Sequence, residues 1–304
     1  MTTVNMIAAI QSCLGSAMAT YVGNKNRGGQ NGKKGSRYED LFMTFKAAEA
    51  AATQVDAPES EWPSLAGQSV GFVDDTVVST TEKTNYYQLK NSNSVSWAAG
   101  DHPIATDFES QMVLAKHLGI SGPSTNLVVP TYAQKLSLEG SIPDSIKGHS
   151  GVHSFPYCEG SFNRLVLENP DVRTILSKLA RVEDPTMDEL VGVFASLLMS
   201  CTEHMDGGSL DAIIAFANRT QPGLLRVFPA DTDWSQKLTP DFVKVLANIP
   251  GLSYGVGRGY FAWSAFGTSG VFSSDCASPQ FERFQQLIVR EQPKTFEELE
   301  SYLP

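Results

Sequence analysis

No run of about 18 consecutive apolar residues occurs in the chain, which excludes a membrane-spanning helix as a reading of the sequence. No Lys or Arg precedes Lys25, so the N-terminus lacks the basic region of a secretory signal. We therefore expect a cytoplasmic protein that does not engage a membrane. Cysteine is scarce: Cys13, Cys158, Cys201 and Cys276 are scattered, with no CxxC pair. That spacing argues against a disulfide framework or a zinc ribbon and for free thiols in a reducing compartment. GxSxG is missing, no Ser/His/Asp set stands out, and Gly255-Val-Gly-Arg-Gly lacks the GK[ST] ending of a phosphate loop. Internal repeats and low-complexity tracts are also absent.

What is present is a globular composition. Apolar residues make up 41% and aromatics 10% of 304 residues, enough to offset the entropy of ordering one large domain or two smaller ones. The net charge of −10 argues against non-specific coating of nucleic acid. The charge is uneven, however. Residues 1–37 carry Lys25, Arg27, Lys33, Lys34 and Arg37 and no acid, a sum of +5, which leaves −15 on the remainder. A basic segment on an acidic body suggests a local contact with an anion such as a phosphate.

Residues 4–22 read as a buried helix ending at Gly23-Asn24, followed by a Gly- and Asn-rich loop over 23–35. Ser36-Arg37-Tyr38-Glu39 fits a capping box. The helix it opens carries Tyr38, Leu41, Phe42, Phe45 and Ala48 as one apolar stripe. Two β-prone runs follow, 69–79 and 85–91, close enough to pair as an antiparallel hairpin. Thr106-Asp-Phe-Glu is a second capping box before a helix over 107–118 with Gly119 as its stop, and 125–130 suits a buried strand. Residues 131–170 read as loops. Helices are expected over 171–205, 211–218, 239–246, 281–289 and 295–303, a strand at 224–228 and a hairpin at 254–272. The fold class is thus α/β: a helix, antiparallel hairpin, helix and strand in residues 1–135, and a mainly helical accessory region in 136–304.

The chemistry-bearing stretch is Asp74-Asp75 followed by Gln88-Leu89-Lys90, with Glu39 upstream. Residues i and i+2 of a strand share a face, so Gln88 and Lys90 point together. Hairpin pairing brings Asp74 or Asp75 beside them, and a helix packed on the sheet can supply Glu39. Carboxylates and an amide oxygen suit Mg²⁺ or Mn²⁺, and an ammonium beside them can act on a phosphate or on the attacking water. Each residue also has an ordinary structural explanation: Glu39 as a helix cap, Asp74-Asp75 as a turn and Lys90 as an exposed strand lysine. His149 and His153 form an HxxxH pair with Cys158 downstream, too few ligands in too irregular a region for a zinc site.

Tyr38-Glu39 on the first helix, Asp74-Asp75-Thr76-Val77, and Tyr87-Gln88-Leu89-Lys90 on the next strand stand in a fixed order. In that order they resemble the PD-(D/E)xK nuclease superfamily, and within it the QxK-type double-stranded DNA nuclease domains of bacterial anti-phage defence, including CBASS effectors. The resemblance spans roughly residues 36–130. Two positions depart from the pattern: Thr76 stands where an aliphatic residue is common, and Gln88 replaces an acid. The resemblance implies a restriction-endonuclease-like core and a metal-dependent DNA endonuclease. Glu39 and Asp75 would hold the metal, Asp74 would substitute if the register slips by one, Gln88 would complete the site and Lys90 would serve the water or the phosphate. Lys25, Arg27, Lys33, Lys34 and Arg37 would grip the duplex backbone. Partner subunits of a defence complex, and a homo-oligomer, are compatible with it. Two alternatives stay open: a catalytically silent scaffold subunit of such a complex, which the acidic body would suit, and a nuclease acting on RNA.

Overall fold

The structure is a computed structural model that describes residues 3–32, 37–92, 94–156 and 162–303, with backbone only at 3–4 and 27–32. It is α/β, and it divides into two compact units. The first comprises Met1–Ala50, Glu61–Asn169 and Leu198–Ile213; the second comprises Ala51–Ser60, Pro170–Leu197 and Ile214–Pro304.

The chain enters through α1 (Thr3–Leu14) and α2 (Ser16–Gly32). The helix expected over 4–22 is therefore two helices, split at Gly15, whose φ of +89° is open to glycine and strained for other residues. The loop expected from Gly23 is helical as far as Gly32, and 33–36, with the Ser36 cap, lie outside the described residues. Gly and Asn are poor helix formers. The first half of α2 is held instead by burial of Ala19 and Val22 against Ile10, Phe72 and Leu114.

The next helix, α3 (Arg37–Asp56), buries its expected stripe, with Phe42 edge-on to Tyr87 and to Phe155. Beyond it come β1 (Ser64–Gly67), β2 (Thr76–Ser79), β3 (Thr84–Leu89), α4 (Ile104–His117) and β4 (Pro123–Val129). The segment expected as loops holds α5 (Tyr132–Glu139), β5 (Ser150–Ser154) and α6 (Asn163–Glu168). With β6 (Gly208–Ser209) the strands form one mixed sheet in the order β5-β4-β3-β2-β1-β6. β2 pairs antiparallel with β1 and β3, and β3, β4 and β5 are parallel. The boundary expected at residue 135 is thus displaced, because β5 extends the same sheet. β4 explains itself: Leu127, Val128 and Val129 are buried on both faces, as a central parallel strand requires. Tyr86 faces Trp97 and Phe108 on the α4 side, while Tyr87 meets Phe42 on the α3 side.

The second unit holds α7 (Pro170–Leu179), most of α8 (Met187–Glu203) and of α9 (Leu210–Thr220), α10 (Pro240–Ala247), α11 (Pro279–Glu291) and α12 (Phe296–Glu300). The expected hairpin is a three-stranded antiparallel sheet of β7 (Ser253–Gly257), β8 (Tyr260–Ala265) and β9 (Thr268–Val271). The strand expected at 224–228 reduces to a single bridge between Ala180 and Leu225. Five phenylalanines, Phe242, Phe261, Phe272, Phe281 and Phe284, centre this unit's core. The Gly255–Gly259 stretch turns between β7 and β8, and the Arg258 guanidinium donates to the carbonyls of Ser177 and Ala180 at 2.8 and 2.7 Å. No helix among the described residues is long and apolar enough to cross a membrane. Cys13, Cys201 and Cys276 are free thiols; Cys158 lies outside the described residues.

Candidate active site

Asp74 and Asp75 end the irregular segment between β1 and β2 rather than lying within a strand. That segment folds back on itself: Ser69 N–H donates to the Asp74 carbonyl at 2.9 Å and Gln68 N–H to the Asp75 carbonyl at 3.3 Å. From α4, Gln111 Oε1 accepts the N–H groups of Phe72 and Val73 at 2.9 and 3.3 Å. A Cβ at Gly71 would come within 2.8 Å of that oxygen, so glycine permits the clamp.

The β2–β3 register sets the next contacts. The ladder ends with Thr76 opposite Tyr87, and Asp75 and Gln88 are the next residues of the two segments beyond it. Gln88 Nε2 donates to Asp75 Oδ2 at 2.5 Å, and Leu89 N–H donates to the same oxygen at 2.6 Å. Lys90 follows the strand, its N–H bonded to the Val128 carbonyl at 2.9 Å. Burial pushes the Asp75 carboxyl above the usual carboxylate range, and the Lys90 charge pulls it back most strongly.

Lys25 enters from α2. Its ammonium lies 2.5 Å from the Phe72 carbonyl, 3.1 Å from Gln88 Oε1, 3.2 Å from Asp74 Oδ1 and 3.7 Å from Asp107 Oδ2. Asp107 also accepts from the Tyr21 hydroxyl, at 3.2 and 3.1 Å to its two oxygens, and the Tyr21 ring stacks on His102 with centroids 3.6 Å apart. Burial raises the Asp74 carboxyl to about 6 against the opposing Lys25 charge, and raises Asp107 against the same charge. The Tyr21 hydroxyl is pushed up by burial and then by Asp107.

The structure therefore brings Asp74, Asp75 and Gln88 to one place and adds Lys25, while Lys90 acts on Asp75 through its charge. The sequence places Lys25 on a DNA-gripping loop; it lies among the carboxylates instead because α2 continues past Gly23. Glu39 is bonded through Oε2 to Gln68 Nε2, so it reaches the Asp75 main chain by way of Gln68. Arg37 is exposed at the start of α3. The side chain of Arg27, and Lys33 and Lys34 altogether, lie outside the described residues. The histidines of the HxxxH pair make local bonds: His153 Nε2 with Asn126 Oδ1 at 3.0 Å and His149 Nδ1 with Ser150 Oγ at 3.2 Å.

Sequence reasoning misses Tyr21, Asp107 and Gln111. The second capping box is displaced: α4 begins at Ile104 behind Pro103, so Asp107 lies within its first turn and faces inward. A signal exists in Asp107 and Gln111, two polar residues four apart on one helix face; both are buried. Tyr21 and Lys25 repeat that spacing on α2.

Among the described residues no three His, Cys, Asp or Glu side chains are grouped to hold a metal. The cluster offers two adjacent carboxylates and an amide oxygen, all hard donors, and Mg²⁺ takes one or two carboxylates with water for the rest. That donor set fits such an ion. Comparisons with protein-family models, curated proteins and solved structures find no match.

Proposed function

We propose that this chain is a metal-dependent DNA endonuclease with a restriction-endonuclease-like core, acting in bacterial anti-phage defence. The observation that carries the reading is the Asp75–Gln88–Lys90 constellation. A buried carboxylate and an amide are bonded just beyond the paired part of β2 and β3, and the Lys90 charge acts on that carboxylate. The order α3, three antiparallel strands, α4, parallel β4 supports it as the scaffold the nuclease resemblance implies.

Asp75, Asp74 and Gln88 would hold Mg²⁺ or Mn²⁺. When bound, the ion lowers the pKa of water and neutralises charge developing on a phosphate. Gln88 and the Leu89 N–H fix the Asp75 carboxylate through its Oδ2. Lys90 acts electrostatically on Asp75, and there it would orient water or meet the phosphate's developing charge. Lys33, Lys34, Arg27 and Arg37 are the basic residues left to contact the duplex backbone.

The second reading, a catalytically silent scaffold subunit, is favoured by one observation: the Lys25 ammonium lies among the oxygens that a metal would use. Incubating the purified protein with plasmid DNA and Mg²⁺ or Mn²⁺, alone and with candidate partner subunits, separates the two. Linearised or degraded plasmid, lost with chelator, is expected. Intact DNA under every condition, with partners present, would leave the scaffold reading standing; cleavage of RNA alone would redirect the substrate.

A further inference from the structure

Four oxygens converge on the Lys25 nitrogen: the Phe72 carbonyl, Gln88 Oε1, Asp74 Oδ1 and Asp107 Oδ2, at 2.5 to 3.7 Å. They come from three separate stretches of chain, the 68–75 segment, β3 and α4. This is a cage of hard oxygen donors built around a single positive charge. Asp74 Oδ1 is buried, and the ammonium at 3.2 Å is the cation that faces it. An oxygen of that kind is costly unless a cation satisfies it. The ammonium is a single charge set against Asp74 and Asp107 together, whereas a divalent ion would match both.

The element that carries Lys25 is weakly helical by composition. From Gly23 to Gly32 it reads Gly-Asn-Lys-Asn-Arg-Gly-Gly-Gln-Asn-Gly. Each glycine costs about 1 kcal/mol against alanine in a helix interior. The turn that bears Lys25 is held through side-chain anchors, the Tyr21–Asp107 bond and the ammonium in its cage. The Lys25 side chain is 21% exposed.

We infer that the oxygens of Phe72, Asp74, Gln88 and Asp107 form a divalent-cation site, and that Lys25 on α2 is its tethered occupant, which must withdraw before the ion enters. Asp107 is thereby a ligand that the nuclease resemblance does not assign. The inference rests on the nuclease reading for what the ion is for, and its test needs no cleavage.

The test is Mn²⁺ titration of the full chain by calorimetry, without DNA, in the parent and in Lys25→Met. Methionine keeps the length of the stem and removes the competing charge. Mn²⁺ affinity is expected to rise at least tenfold, and to fall back in the double variant Lys25→Met/Asp107→Asn. A second measurement uses the parent alone: acylation of Lys25 by an amine reagent, read by peptide mass spectrometry, is expected to rise several-fold when Mn²⁺ is added. If Lys25→Met does not fold, the acylation result decides. Equal Mn²⁺ affinity in parent and variant, no binding to either, or Lys25 acylation unmoved by Mn²⁺ would each overturn the occupant role. Tighter Mn²⁺ binding with no DNA cleavage would sink the nuclease reading and leave this site in place; cleavage with unchanged Mn²⁺ affinity would do the opposite.

Discussion

Gln88 Nε2 and the Leu89 main-chain N–H both donate to one oxygen of Asp75, at 2.5 and 2.6 Å. One strand thus fixes the carboxylate carried by its neighbour, using a side chain and the backbone beside it. The bond follows from register, because Asp75 and Gln88 flank Thr76 and Tyr87, the last pair of the ladder.

The site assignment is tested by Asp75→Asn and Lys90→Met. Asn keeps an oxygen to accept from Leu89, and the Lys90 N–H keeps its bond to Val128 whatever the side chain. Both variants should fold, with unchanged circular dichroism. Each should lose on the order of 10²–10³ in cleavage rate, the typical loss when a group acting on transition-state charge is removed. Asp75→Ala is a poorer test: it strands a buried N–H and costs about 1–3 kcal/mol in stability. Parent-level cleavage in Asp75→Asn or Lys90→Met removes these residues from the chemistry.

Glu39 separates the sequence expectation from the geometry. It bonds Gln68, and a Gln at 39 can still accept that bond. Glu39→Gln is therefore expected to change Mn²⁺ affinity by less than about twofold and stability by less than about 1 kcal/mol. Asp74→Asn should weaken Mn²⁺ at least tenfold. A tenfold loss in Glu39→Gln, measured by calorimetry, would restore Glu39 as a metal ligand.

The Asp74 carboxyl sets a pH dependence. Its ordinary value of 3.8 is raised to about 6 in the fold, chiefly by burial. Between those values the folded protein binds the proton more than the unfolded chain does, so the Asp74 contribution to stability is full below about pH 4 and declines as pH rises to about 6. Chemical denaturation of the metal-free protein at pH 4 and pH 7 should show the parent losing on the order of 2 kcal/mol relative to Asp74→Asn across that interval. A pH-independent difference between the two proteins would contradict the buried, charge-disfavouring environment.

The basic segment is tested by salt. Each phosphate neutralised on duplex DNA adds roughly 0.9 to the magnitude of the log–log salt slope. Changing Lys33 and Lys34 together to Ala should lower that slope by up to roughly 2 and weaken DNA binding, with cleavage at saturating DNA unchanged. Lys25 is left out of this pair because its ammonium faces the carboxylates. A double variant with the parent's slope would remove the segment from the DNA-binding surface.

The residue order alone determined the α/β class, the helix of Tyr38 to Ala48, an antiparallel hairpin in which Thr76–Ser79 pairs with Thr84–Tyr87, the helix–strand unit that follows, and the aromatic helices near the C-terminus. These are local signals of period 3.6 or 2. Tertiary structure decided the rest. Only packing shows that α2 continues through glycines, since the buried Ala19 and Val22 and the Lys25 cage outweigh weak helix propensity there. Only the sheet reveals that β5 belongs to the first unit, because a parallel strand finds its partner through a crossover and its own sequence carries no mark of it. Asp107 and Tyr21 meet across 86 residues of chain. No spacing rule reaches that far: a carboxylate becomes part of a site when burial takes its water away and leaves a hydroxyl and an ammonium as its partners.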